Sequence, residues 1–235
     1  MISNIFNFLS ILKRKIKYKK TSYSLNAVDL IVNYIFKNKN KGIYIDIGAQ
    51  HPISNNNTYL LFKRGWKGIN IDLDKKNIDL FMISRPNDIN LNYAISDKES
   101  ETDLYFYHES SPLNTINKQV HAYQSKKLKE IKKIKTFPLN DILKKINFSE
   151  KIDYMNIDVE GNEEKVLTGF DVKKYKPLVI SVEYLDLKMK KLELKNNDIN
   201  NLLNSNLYKY FIDNNYYFVN WLHGDLIFVH KDFRD

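Results

Sequence analysis

Four acidic residues, Asp46, Asp72, Asp158 and Glu183, each close a short apolar run in this 235-residue chain. The runs occupy residues 42–46 (GIYID), 68–72 (GINID), 153–158 (DYMNID) and 177–183 (PLVISVE). Short β-rich runs bounded by glycine, proline or polar residues read as buried strands. Carboxylates repeated at corresponding strand ends can accept from ligand hydroxyls, take a proton or hold a cation.

Three motifs sharpen that chemistry. In residues 44–52, YIDIGAQHP, a strand turns at Gly48, where backbone N–H groups can approach a ligand closely. Asp46, ahead of the turn, either accepts from a ligand ammonium or orients the turn. There is one glycine here, without G-x-G-x-x-G or G-x-x-x-x-G-K-[ST], so the turn lacks the usual diphosphate cradle. It suits a nucleoside with less negative charge, or it is a plain structural glycine. An NAD oxidoreductase is disfavoured on the same ground. Asp72 stands at the next strand end, where a carboxylate can take both hydroxyls of a ribose. Capping of the following helix falls to Asp74.

Residues 156–163, NIDVEGNE, set Asp158 and Glu160 on one side of an extended chain. Four roles stay open for them: steering an acceptor, taking a proton, binding a cation, or holding an amino-acid moiety. Glu163 and Glu164 suit the first turn of a helix. His51 follows the glycine turn, and histidine is the side chain most often used as a general base, which fits an alcohol acceptor. A loop histidine bonded to backbone fits equally. Behind it rank Glu160, Asp158, His108 and His223. A divalent ion on Asp158, Glu160 or Glu183 is compatible with the chemistry and is not expected.

The elements that must position these residues alternate. Helices are expected at 58–63, 75–84, 115–133, 139–146, 163–167 and 198–212, and further strands at 89–95 and 102–107. Residues 216–222 and 226–230 flank His223-Gly224-Asp225 as a hairpin. Strand–helix alternation predicts an α/β, doubly wound, mostly parallel sheet, with one antiparallel strand from the hairpin. Ligands on such sheets bind beyond the carboxyl ends of the strands. Residues 107–117, with Ser110, Ser111 and Thr115, are placed to form a lid.

The formal charge is +9, but it is unevenly spread. Residues 1–20 hold Lys13, Arg14, Lys15, Lys17, Lys19 and Lys20 with no acid, and residues 118–135 hold seven lysines against Glu130. The rest is slightly acidic, so a broad nucleic-acid face is disfavoured. The lysine run reads as a solvated helix face; its competing role is a phosphate contact. The first segment, MISNIFNFLSILKRKIKYKK, reads as an amphipathic helix packed on its own domain or on a second subunit. The other reading is peripheral contact with an anionic membrane. It is too short to span, and no run of 18 apolar residues occurs elsewhere. Cysteine is absent, which excludes disulfides and thiolate sites and fits a cytoplasmic protein, at the inner membrane face if residues 1–20 bind lipid. The many asparagines are discounted as compositional.

The ordered set of motifs resembles the FkbM-type S-adenosylmethionine-dependent methyltransferases. The matching stretches are GIYIDIGAQHP (42–52), NTYLLFKRGWKGINID (57–72), NYAISD (92–97), IDYMNIDVEGNE (152–163), VLTGF (166–170) and PLVISVE (177–183). Asp72 departs from the commoner Glu, Gln50-His51 from an Asn-led pair, and residues 24–29 match S-Q-x-x-E-D weakly. The resemblance implies a class I methyltransferase fold over residues 22–235, preceded by a basic segment at 1–21. It implies S-adenosylmethionine as cofactor, with Asp46, Gly48 and Ala49 along its methionine part, Asp72 on its ribose, and Ala94 and Ile95 beside adenine. Thr58 and Asp158 join that binding set, and Asp158 and Glu160 border the reacting centre. The N-P-P-[YF] signature of amine methylation in nucleic acids is missing, so the implied acceptor is an oxygen. Relatives often methylate sugars in surface-polysaccharide (capsule) pathways. The expected partner is thus a small-molecule or glycan substrate rather than nucleic acid, with a homodimer also compatible. Other acceptors carried forward are a further small-metabolite oxygen and a phosphate-type or nucleotide-linked one. A non-catalytic cofactor-binding scaffold is the alternative of a different class.

Overall fold

The computed structural model describes residues 2–124, 126–184 and 198–234. The strands, in chain order, are β1 (Ile43–Ile47), β2 (Lys67–Asp72), β3 (Ile89–Asn92), β4 (Ala94–Ser96), β5 (Ser100–Phe106), β6 (Glu130–Pro138), β7 (Tyr154–Ile157), β8 (Val179–Glu183), β9 (Tyr216–Leu222) and β10 (Asp225–His230). The helices are α1 (Ile2–Lys17), α2 (Val28–Ile35), α3 (Tyr59–Lys63), α4 (Lys75–Ser84), α5 (Lys118–Tyr123), α6 (Leu139–Lys145), α7 (Glu163–Thr168), α8 (Val172–Tyr175), α9 (Ile199–Asn204), α10 (Asn206–Asp213) and α11 (Lys231–Arg234).

Seven strands form one sheet in the order β3-β2-β1-β7-β8-β10-β9. All neighbours run parallel except β10, which is antiparallel to both β8 and β9. Strand order reverses at β1, between β2 and β7, so the chain's crevice opens there. This is the doubly wound sheet with one reversed strand that the sequence predicts.

Strand alternation sorts β1 and β7 onto two cores. Ile45, Ile47, Met155 and Ile157 pack with α6 and α7 on one face. Tyr44 and Tyr154 pack with Val28, Val32, Leu61 and Trp66 on the other. On that second face the register aligns Asn70, Asp46, Asn156 and Ser181 across β2, β1, β7 and β8. All four are buried. A polar row inside a sheet is stable only when its members find hydrogen-bond partners, and these do, Asn70 with Asp88 and Asn90 and the other three with one another. Asn156 Nδ2 donates to Asp46 Oδ1 at 2.9 Å, and Ser181 Oγ donates to Asn156 Oδ1 at 2.6 Å.

Two expectations fail beside this sheet. The run at 89–95 is not one strand: β3 ends at Asn92, and β4 leaves for a second sheet of order β4-β6-β5. Residues 115–133 are not one helix. Only α5 is helical, and the described part of the lysine run from Glu130 enters β6. Ile131, Ile134 and Thr136 are β-branched and resist helix. Across β6 and β5, Lys133 lies opposite Asp103 and Lys135 opposite Glu101, so cross-strand acids meet these lysines. Lys133 Nζ reaches Asp103 Oδ1 at 2.6 Å. The run is therefore a strand face rather than a helix face.

The N-terminal segment is helical, as expected, but it does not pack on its own domain. Phe6, Phe8, Leu9, Ile11 and Ile16 are all more than half exposed. The body begins at Ser22, whose Oγ donates to Asp29 Oδ1 at 2.6 Å, and Tyr23 N donates to Asp29 Oδ2 at 2.7 Å. No helix among the described residues is long and apolar enough to cross a membrane.

Candidate active site

Two residues beyond the polar row, the same strands present Asp72, Gly48, Asp158 and Glu183 at their carboxyl tips. A cavity of about 290 Å³ opens over these tips. Among the described residues the lining holds seven acids (Asp46, Asp72, Asp74, Asp158, Glu160, Glu183 and Asp225) and His223, but neither lysine nor arginine.

Gly48 holds this end of the sheet together. Its φ is +78°, and a Cβ there would lie 1.7 Å from the carbonyl oxygen of Asp158. Only glycine accepts both the dihedral and the contact. The backbone N–H groups of Gly48 and Ala49 both donate to Ile71 O, at 2.9 and 3.1 Å. The expected presentation of these groups to a ligand is thus corrected: they bind β1 to β2, and Gly48 lets β7 close over the turn.

Asp46 sits 1% exposed on the cavity floor. Its carboxylate accepts from Asn156 Nδ2, from Asn56 Nδ2 at 3.0 Å and from Thr58 Oγ1 at 2.8 Å. Burial raises its pKa, while these donors oppose the rise. Thr58 is fully buried behind Asp46 and outside the cavity lining. The geometry shows Thr58, expected in the binding set, as a support of Asp46. Beneath both lies Arg85, 0% exposed. Arg85 Nη1 donates to Thr58 Oγ1 at 2.9 Å, its Nη2 to Asn56 Oδ1 at 2.7 Å, and its Nε to Pro52 O at 3.1 Å. A buried carboxylate and a buried guanidinium, bridged by Thr58 and Asn56, fix the loop after β1.

Asp72 is 7% exposed. It accepts from Gln50 N at 2.8 Å, Asp74 N at 2.7 Å and Asn77 Nδ2 at 3.1 Å. Burial lifts its pKa to about 6 against these donors. Asn77 lines the cavity beside it, and its buried Oδ1 takes no hydrogen bond among the described residues. Asp74 caps α4 by accepting from Lys76 N at 3.0 Å, the duty assigned to it. Ala94 and Ile95 line the wall past Tyr93.

The opposite wall is a carboxylate cluster. One oxygen each from Asp158, Glu160 and Glu183 lies within 4.8 Å of the others. Glu183 Oε2 is buried without a hydrogen-bond partner among the described residues. Burial raises all three pKa values, Glu160 to about 8 and Asp158 and Glu183 well above the carboxylate range, and repulsion adds to it: from Glu163 on Glu160, and from the neighbouring acids on Asp158 and Glu183. Glu160 has φ 55° and precedes Gly161 at φ 91°. A glutamate in this left-handed conformation is strained, and such strain persists where the surroundings impose it. Glu163 imposes it: its Oε1 accepts from Val159 N at 3.0 Å and Gly161 N at 3.1 Å. Burial raises the Glu163 pKa to about 7. Its expected role as a first-turn acid is real, and it also clamps the loop that carries Glu160. Thr115 Oγ1 donates to Glu160 O at 2.8 Å, tying the 107–117 segment to the cluster. Ser111 and Asn114 of that segment line the cavity.

His51 is not in the lining. Its Nδ1 accepts from Ile53 N at 3.1 Å and Ser54 N at 3.0 Å, which puts the ring proton on Nε2. Of the two roles open to it, the loop role matches this geometry. His108 bonds to Glu109 O at 2.9 Å and is exposed.

Comparison with known families decides what this arrangement belongs to. The model of the methyltransferase FkbM domain matches residues 46–210, more than half of the chain. The chain belongs to the FkbM methyltransferase family. The matched span starts at Asp46, inside the first chemistry-bearing motif, and takes in the other two. No curated protein matches the chain. Among solved structures, a candidate RNA methyltransferase from Pyrococcus horikoshii aligns over 87% of this chain and 84% of its own, with 8% identity and a TM-score of 0.42.

Proposed function

We propose that this FkbM protein is an S-adenosylmethionine-dependent O-methyltransferase acting on a neutral hydroxyl of a saccharide. The observation that carries the reading is a cavity at the strand-order switch whose charged lining is acidic, with a raised-pKa carboxylate on one wall. S-adenosylmethionine bears a sulfonium and an ammonium against one carboxylate, so an acidic cavity attracts it. The donor set fits. Asp72 can accept from the ribose hydroxyls, and Asn77 Oδ1 offers an acceptor that no described residue uses. Ala94 and Ile95 offer an apolar wall for adenine, and the Gly48–Ala49 turn borders the methionine moiety.

When bound, the cofactor supplies a methyl group on a good leaving group. The protein orients the acceptor, excludes water and removes the acceptor's proton. Glu160 is the proposed base, because a carboxyl near pKa 8 keeps basicity that an ordinary carboxylate lacks. Asp158 and Glu183 accept from neighbouring hydroxyls and hold the acceptor in line. Orientation of this kind can lower a barrier by roughly 7–11 kcal/mol. The lining offers no lysine or arginine among the described residues to pair a phosphate, which argues against phosphate-type and nucleotide-linked acceptors and favours a neutral glycan. The family resemblance supports a surface-polysaccharide setting.

Incubation with methyl-labelled cofactor tests the acceptor class. Neutral oligosaccharides should take label, and sugar nucleotides should take little. Cofactor binding without label on any hydroxyl compound would instead favour the scaffold role.

A further inference from the structure

We infer that α1 is a docking surface for an anionic lipid bilayer. The observation is an unpartnered amphipathic helix whose cationic residues have no acid among them. Ile5, Leu9, Leu12 and Ile16 recur at helical spacing on one face, flanked by Phe6 and Phe8. Asn7, Ser10, Arg14 and Lys17 recur at the same spacing on the other. Burial does not account for the apolar face, since Phe6 is 68% exposed, Phe8 59% and Leu9 54%.

Charge selects the occupant. Six lysines and arginines fall within residues 13–20, and residues 1–20 hold no acid. A second copy of α1 offers these charges no anionic partner, and packed parallel it would set like charges together. An anionic surface complements them, and its acyl boundary accepts the apolar face. Tyr18, 69% exposed after the last turn, has the amphipathic ring that favours the headgroup zone. The helix has 16 residues, about 24 Å at 1.5 Å per residue, shorter than the hydrocarbon core, so it lies in the surface plane.

Co-sedimentation of the full chain with vesicles tests this. Vesicles of phosphatidylcholine plus phosphatidylglycerol should pellet the protein, phosphatidylcholine alone should leave it in solution, and added salt should release it. L9E/L12E and R14E/K17E should each weaken partition at least about tenfold. Their melting temperatures should match wild type, because the described side chains of α1 lie outside the body's two cores. Equal pelleting with both vesicle types, or with neither, would overturn the inference. So would a wild-type dimer that L9E/L12E dissociates without any lipid binding, which would make a second copy the occupant.

Discussion

The carbonyl oxygen of Asp158 occupies the place where a side chain on Gly48 would begin, 1.7 Å from an ideal Cβ. The tips of β1 and β7 therefore approach as closely as backbones allow. That approach brings the β1 turn and the carboxylates after β7 into one cavity.

Gly48→Ala should separate these tips. The methyl group meets backbone rather than a side chain that can swing away, and φ +78° adds strain. A loss of about 2–4 kcal/mol in unfolding free energy is expected. Denaturant unfolding measures it; an unchanged midpoint would mean that β7 relaxes freely.

Glu160→Gln should lower kcat by about 10²–10⁴-fold with cofactor affinity retained. In the wild type, Glu160 is largely protonated at neutral pH, so kcat/KM should rise with pH and level off above about 8. The glutamine variant should lose this limb. A wild-type profile that is flat from pH 6 to 9 would remove Glu160 from the base role.

Stability should run the other way. Asp72, Glu163 and Glu160 have folded-state pKa values of about 6, 7 and 8, all raised by burial. A raised carboxyl favours folding fully below its unfolded value near 4, and that contribution is lost as pH climbs through the folded value. The melting temperature of the ligand-free protein should therefore fall between about pH 5 and 8. Glu160→Gln should flatten the upper part of that fall, since glutamine mimics the protonated acid. Equal slopes in both proteins would contradict the assignment.

Arg85→Met should destabilise by about 3–5 kcal/mol, because it leaves Asp46 buried without its nearby cation. Thermal unfolding of Arg85→Met against Arg85→Met/Asp46→Asn checks the coupling. The double variant should recover part of the loss; strict additivity would show that Arg85 acts only through packing.

The sheet and the strand-end acids were legible because buried strands write themselves as short apolar runs, and Asp72 and Asp158 follow directly from where those runs stop. The supports were not. Asn56, Asn77 and Asn156 are buried hydrogen-bonding residues at the site, but in a chain this rich in asparagine their type alone carries no signal. Arg85 follows a helix and precedes a proline, so nothing local marks it as a fully buried cation. The β6 lysines misled because a strand edged with cross-strand acids has the same composition as a solvated helix. His51 sits beside the glycine turn in sequence, yet two backbone N–H groups hold its Nδ1 in the loop.

The central claim is that the acidic cavity holds a nucleoside sulfonium through Asp72. Calorimetric titration of wild type and Asp72→Ala with S-adenosylmethionine tests it most directly. The account predicts saturable one-to-one binding to wild type, weakened at least about tenfold in the variant through loss of charge-assisted hydrogen bonds to the ribose. No binding to wild type, or equal affinity in both proteins, would contradict it.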